Sequence, residues 1–169
     1  MRTASGGARG APRHDTVMTL YLVQHGEAKA EAEDPERPLT ARGRDDIGRL
    51  AALLARTGVR VARLEHSGKR RAQETAELLA AAVAATPTAR SGLAPNDPVA
   101  PLAAEVCALA ENVMLVGHLP QLGRLASLVL TGREEPSLVA FTPGTLVGLE
   151  HGAGWVIVWA LPPALTAGG

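Results

Sequence analysis

Two short apolar runs, Leu20-Tyr21-Leu22-Val23 and Val113-Met114-Leu115-Val116, each end on a histidine. The first leads into Gln24-His25-Gly26, the second into Gly117-His118. An unbroken apolar run of this length, bounded by turn residues, reads as a strand buried on both faces. Such strands belong to parallel sheets covered by helices on each side. In these sheets ligands sit beyond the carboxyl ends of the strands. The two runs therefore call for a layered α/β architecture, with two imidazoles where it keeps its binding site.

The intervening segments fit that architecture. Thr40 is a suitable N-cap, and Ile47, Leu50, Ala51 and Leu54 recur at helical spacing, predicting a helix over 41–56 stopped by Gly58. Val59–His66 is extended and half-apolar until Ser67-Gly68 breaks it. Ala72, Thr75, Ala76 and Leu79 predict a second helix from Lys69 to about Ala85. Pro87 to Pro101 is a Pro-rich connection, and Pro101–Ala110 predicts a shorter third helix. Leu122, Leu125, Ala126 and Val129 mark a fourth helix, closed near Gly132. Thr145–Glu150 and Trp155–Leu161, joined by His151-Gly152-Ala153-Gly154, read as a hairpin. One domain is expected over 18–163, after an extension at 1–17 and before a tail at 164–169. The extension has no periodicity and reads as disordered, and no apolar run follows its arginines to make a secretion signal. Met18, directly before the first strand, is a candidate start of translation.

Charge narrows the ligands. The 17 Lys and Arg residues cancel the 17 Asp and Glu residues. No global basic field is available for nucleic acid or an anionic membrane, so neither is expected as a partner. One Phe, one Tyr and two Trp are too few for a base-stacking platform. No apolar window is long enough for a transmembrane helix. The one cysteine, Cys107, excludes an internal disulfide framework and fits a reducing, cytoplasmic setting. An anionic ligand must therefore be held by charge concentrated locally.

That concentration follows the third strand, where His66-Ser67-Gly68 runs into Lys69-Arg70-Arg71 at a helix start. Free backbone N–H groups and basic side chains at a helix N-terminus suit an oxyanion. Each piece alone has a bland reading: a histidine can be structural, and a basic run can be a solvated face. Their shared position at strand ends favours a phosphate site. His14 in the extension and His151 in the Gly-rich turn have no such company and read as surface residues.

The chain resembles the histidine phosphatase superfamily, whose fold is called phosphoglycerate mutase-like. That family opens on a strand ending in Arg-His-Gly, continues with Leu-Thr-x-x-Gly and Ser-x-x-x-Arg-Ala-x-x-Thr, and closes on a strand ending in Gly-His. The counterparts here are Gln24–Gly26, Leu39–Gly43, Ser67–Thr75 and Gly117-His118, in that order. Small size, Arg37-Pro38-Leu39-Thr40 and Gly117-His118-Leu119-Pro120 look like the SixA-type phosphohistidine phosphatases. The resemblance implies a three-layer α/β fold, with a mostly parallel sheet flanked by helices and hairpin-like C-terminal strands. It implies His25 as the nucleophile that becomes a phosphohistidine. Arg71 would bind phosphoryl oxygens, His118 would stabilise the same group from the other side, and Arg37 would also reach it. No metal and no cofactor are implied. The substrate would be a phosphohistidine-bearing protein or a small phosphorylated metabolite.

The chemistry agrees with those roles. Neutral imidazole is a competent nucleophile near neutral pH. Phosphoryl transfer asks mainly for positioning and charge stabilisation, which arginine's planar fork supplies.

Two departures bear on activity. Gln24 stands where the family has a phosphate-binding arginine, which removes a charge and a fork. The difference between a charge-assisted and a neutral hydrogen bond is about 1–2 kcal/mol, or roughly 5- to 30-fold in rate. Lys69, Arg70 or Arg37 are candidate replacements. Glu27 is a candidate general acid, with orientation of its own loop as the alternative. A phosphohistidine needs less acid assistance than a phosphomonoester, so weak acid machinery favours the P–N substrate. Connections too short to insert a cap imply an open, shallow site. The competing readings are a metal-dependent hydrolase using His25, Glu27, His66 and His118, a small-molecule phosphomonoesterase, and a weakly active or non-catalytic phospho-binding module.

Overall fold

The computed structural model describes residues 17–167; the rest of the N-terminal extension and the last two residues lie outside the described part. Six strands form one sheet: β1 (Met18–Gln24), β2 (Arg63–His66), β3 (Pro87–Ala89), β4 (Val113–Gly117), β5 (Leu146–His151) and β6 (Trp155–Leu161). Five helices accompany them: α1 (Ala41–Thr57), α2 (Arg70–Val83), α3 (Ala100–Cys107), α4 (Gln121–Thr131) and α5 (Pro163–Thr166). The strand order is β3-β2-β4-β1-β5-β6. β1, β4, β2 and β3 are mutually parallel, and β5 and β6 extend the sheet antiparallel.

The central strands are apolar throughout because both their faces are covered. Alternate residues of β1 feed opposite cores. Leu20 and Leu22 pack with Leu102, Val106, Leu122 and Leu125 from α3 and α4. Tyr21 and Val23 pack with Ile47, Leu50, Leu54, Ala76 and Leu79 from α1 and α2. Helix, sheet and helix thus make the expected three layers.

α1 begins at its predicted cap. Thr40 is extended and its hydroxyl accepts the Gly43 N–H, while Gly58 ends the helix at φ 71. A left-handed terminal residue suits glycine, which has no Cβ to clash. α2 starts at Arg70, one residue later than predicted, because Lys69 is extended and sits outside the helix.

Three differences concern short elements. Only Arg63–His66 of the predicted Val59–His66 stretch is strand. The Pro-rich connection contains β3, which the leading proline conceals; a proline at the start of an edge strand costs no ladder bond. The chain also turns into α5 where a tail was expected after Pro163.

Candidate functional site

β1 and β4 are neighbours, with Gln24 in register with Gly117. The next residue of each is a histidine, so His25 and His118 leave the sheet side by side. Their ring centroids are 5.0 Å apart. The His25 N–H donates to the Gly117 carbonyl at 3.1 Å, locking the two strand ends together.

The His25 ring has a defined tautomer. Its Nδ1 lies 2.7 Å from the Gly26 carbonyl, which can only accept, so Nδ1 carries the proton. Nε2 then has a free lone pair, and Arg71 Nε donates to it at 3.3 Å. Burial pushes His25 down to about 4, against the opposing effect of the Gly26 hydrogen bond; the positive charges of Arg71 and Arg37 add to the depression. His118 is only 2% exposed. Burial, then the neighbouring His25, Arg71, Lys69 and Arg37, push it down to about 3. Its Nε2 lies 2.6 Å from the Ser67 hydroxyl, which itself accepts the Lys69 N–H. The other ring nitrogen, Nδ1, is buried and without a partner.

Every charge acting on the two rings is positive. Burial and the Arg37 charge also depress Arg71. Three cationic side chains act on two neighbouring imidazoles, an arrangement that suits an anion.

The packing around His25 explains the motif glycines. A Cβ on Gly43 would meet the Glu27 carbonyl oxygen at 2.2 Å, and one on Gly26 would meet Ile47 at 3.0 Å. α1 therefore presses its first turn directly onto the His25 loop. Thr75 ties the same loop to α2, accepting the Gly26 N–H at 3.0 Å and donating to the Arg71 carbonyl at 2.7 Å. On the far side, Gly144 N–H donates to the carbonyls of Gln24 and His25.

The remaining candidates divide clearly. Gln24 is buried at the end of β1, and its Oε1 has no hydrogen-bond partner. Arg37 lies on the 28–40 strap with φ 48, its Nε donating to the Lys29 carbonyl at 3.0 Å. Its charge acts on His25, Arg71 and His118 alike. Arg70 is engaged by Glu74 at 3.0 Å, and its charge is not among those acting on His25 or His118. Glu27 Oε1 accepts the Thr40 hydroxyl at 2.8 Å and is not among the charges that act on either histidine. It holds the α1 cap against the His25 loop. His66 is buried and its Nδ1 accepts the Gly68 N–H, so it shapes the turn before α2. Among the described residues no three His, Cys, Asp or Glu side chains converge as a ligand set, so the four proposed metal ligands are not brought together. His151 is exposed, its ring tilted against that of Trp155 at 5.0 Å between centroids.

Sequence reasoning missed Glu74, a buried carboxylate that accepts the Leu39 N–H at 2.8 Å. Nothing in a helical Gln-Glu-Thr stretch signals burial. Ser67 and Thr75 stood in a recognised motif, but only the structure shows what their hydroxyls touch.

Residues 20–95 match the family model for the histidine phosphatase superfamily, branch 1. An uncharacterized protein of Picosynechococcus sp. is 34% identical over 144 residues, spanning 80% of this chain and 87% of that one. The chain belongs to the histidine phosphatase superfamily. It is an enzyme of the phosphatase type, and the layered fold is the one its structural relatives share. The protein histidine phosphatase SixA in complex with tungstate superposes with a TM-score of 0.75 at 25% identity, over 87% of this chain and 98% of that one. A mycobacterial glucosyl-3-phosphoglycerate phosphatase in complex with VO3 superposes with a TM-score of 0.64 at 18% identity, over 84% and 98% of the two chains. Among the described residues of this histidine phosphatase, no helix is long and apolar enough to cross a membrane.

Proposed function

We propose that this histidine phosphatase removes phosphoryl groups from protein phosphohistidine through a phospho-His25 intermediate, without a metal. The observation that carries the reading is the His25 ring itself. Its Nδ1–H is committed to the Gly26 carbonyl, and its Nε2 lone pair faces Arg71 among positive charges only.

In the first step the Nε2 lone pair forms a bond to phosphorus as the substrate's P–N bond breaks. A phosphohistidine protonated on its second ring nitrogen leaves as neutral imidazole, so no enzyme acid is required. Arg71 and Arg37 take phosphoryl oxygens, and the His118 ring, 5.0 Å from that of His25, stabilises the same group from the other side. A loose phosphoryl-transfer transition state asks for this positioning and charge more than for covalent help. In the second step water attacks phosphorus, and the bond to Nε2 breaks. The proton kept on Nδ1 lets His25 also leave as neutral imidazole, and the water's proton passes to the phosphate formed.

Glu27 bears on the substrate. Bound to Thr40, it is poorly placed to protonate an alkoxide leaving group. A small phosphomonoester, the substrate class named for the mycobacterial relative, would need that proton. The test compares kcat/KM for a phosphohistidine-bearing protein, an aryl phosphate and a sugar phosphate. The expected order is phosphohistidine first, aryl phosphate second and sugar phosphate last. A sugar phosphate turned over faster than phosphohistidine would replace this reading with the small-molecule one.

A further inference from the structure

The strap that carries Arg37 is held from two sides. Toward the His25 loop, the Thr40 N–H donates to the Glu27 carbonyl at 2.9 Å, while the strap's own ends pair through the Ala28–Leu39 bridge and the Lys29 N–H to Pro38 carbonyl bond at 2.9 Å. Toward α2, the N–H of Leu39, a residue 3% exposed, donates to Glu74 Oε2 at 2.8 Å. Glu74 is itself 7% exposed and takes no part in the chemistry described above.

We propose that Glu74 is a positioning residue for phosphate binding: through the Leu39 N–H it holds the Arg37 strap to the helix that carries Arg71. The proposal rests on reading Arg37 as a phosphate ligand. Two further observations support it. Arg37 adopts φ 48, a conformation that residues with a Cβ seldom take and that persists only where the surroundings impose it. The Leu39 anchor lies two residues from that point. Glu74 also lies three residues after Arg71 on α2, so one helix sets both cations.

The negative charge of Glu74 is kept away from the phosphate. Arg70 lies 3.0 Å from one carboxylate oxygen and Arg44 3.1 Å from the other. Burial alone would raise this carboxyl, but the Leu39 and Arg70 hydrogen bonds and the Arg44 charge hold it below the usual carboxylate range. The anchor is thus ionised and already neutralised by neighbours that point to solvent.

The test is a double-mutant cycle read by tungstate affinity and by KM and kcat on an aryl phosphate. Glu74→Ala removes the acceptor. Glu74→Asp keeps the charge but is one methylene too short for Leu39, and it serves if the alanine variant does not fold. Each is expected to weaken tungstate binding and raise KM about tenfold, the worth of one good hydrogen bond, with kcat changing less. Glu74→Gln, which keeps an acceptor for Leu39, is expected to restore affinity to within about threefold of wild type. In an Arg37→Ala background, Glu74→Ala is expected to cost nothing more. An added tenfold loss there would show that Glu74 acts otherwise than through Arg37, and the proposal falls. Weakened binding in Arg37→Ala with none in Glu74→Ala and Glu74→Asp overturns the Glu74 role alone. Unchanged tungstate affinity in Arg37→Ala overturns both the Arg37 reading and this one.

Discussion

Gln24 stands where the family resemblance leads one to expect an arginine, and its surroundings bear on what that difference does. The side chain is buried at the end of β1, beside His25, with Oε1 unpartnered. The positive charges acting on His25 are those of Arg71 and Arg37, while Arg70 pairs with Glu74 and Lys69 sits at the exposed cap of α2. Gln24→Arg is therefore expected to hold or raise kcat/KM, by up to roughly 30-fold if the restored fork reaches the phosphoryl group. A large loss would mean that the pocket is organised around the amide. The histidines make a second prediction at this scale. With His25 depressed to about 4, its ring should stay neutral well below 6.5, and an NMR titration should find the transition near that lower value. The same depression costs stability in acid. The unfolded chain takes up the proton first, so stability is full above about 6.5 and is lost as pH falls toward 4. Thermal melts across that range should fall with pH, and less steeply in His25→Ala. A His25 that titrates at its ordinary value would contradict the tautomer and burial described for it.

At the scale of elements, α1 and α2 position the site by their first turns. The two exposed–buried glycine environments of α1 make a controlled pair. Gly43→Ala would drive a Cβ into the Glu27 backbone, and a loss of at least about 1–3 kcal/mol together with a fall in kcat is expected. Gly48 has nothing within 4 Å of such a Cβ, so Gly48→Ala should stabilise the protein by about 0.5–1 kcal/mol without touching activity. Denaturant melts of both variants check the sign of each. Thr75→Val keeps the shape but leaves the Gly26 N–H unpaired, costing about 1–3 kcal/mol and loosening the His25 loop. Much of this scale was legible beforehand. Unbroken apolar runs, a threonine cap and helical spacing declared β1, β4, α1, α2 and α4, because burial and capping act on adjacent residues. β3 and α5 were not, since their few residues carry no period and proline hides them. Nor was Glu74, whose burial depends on a strap 35 residues away in sequence.

Over the whole molecule, zero net charge and the proposed phosphate site are reconciled by topology. Parallel neighbours β1 and β4 bring His25 and His118 to one edge, and the 28–40 strap and α2 bring Arg37 and Arg71 over them. The cations are distant in sequence, so only the resemblance to a known fold could predict that they meet; composition argued against nucleic acid without locating an anion. Glu27 was readable as an acid or as a loop anchor, and its bond to Thr40 favours the anchor. The most direct test of the central claim is phosphoenzyme trapping. Wild-type and His25→Ala protein are incubated briefly with a phosphohistidine donor, quenched in alkali, and the phosphorylated residue is identified by mass spectrometry. An acid-labile phosphoryl group on His25 in the wild type, and none with turnover abolished in His25→Ala, is the predicted result. Full turnover by His25→Ala, or a phosphoryl group carried elsewhere, would contradict it.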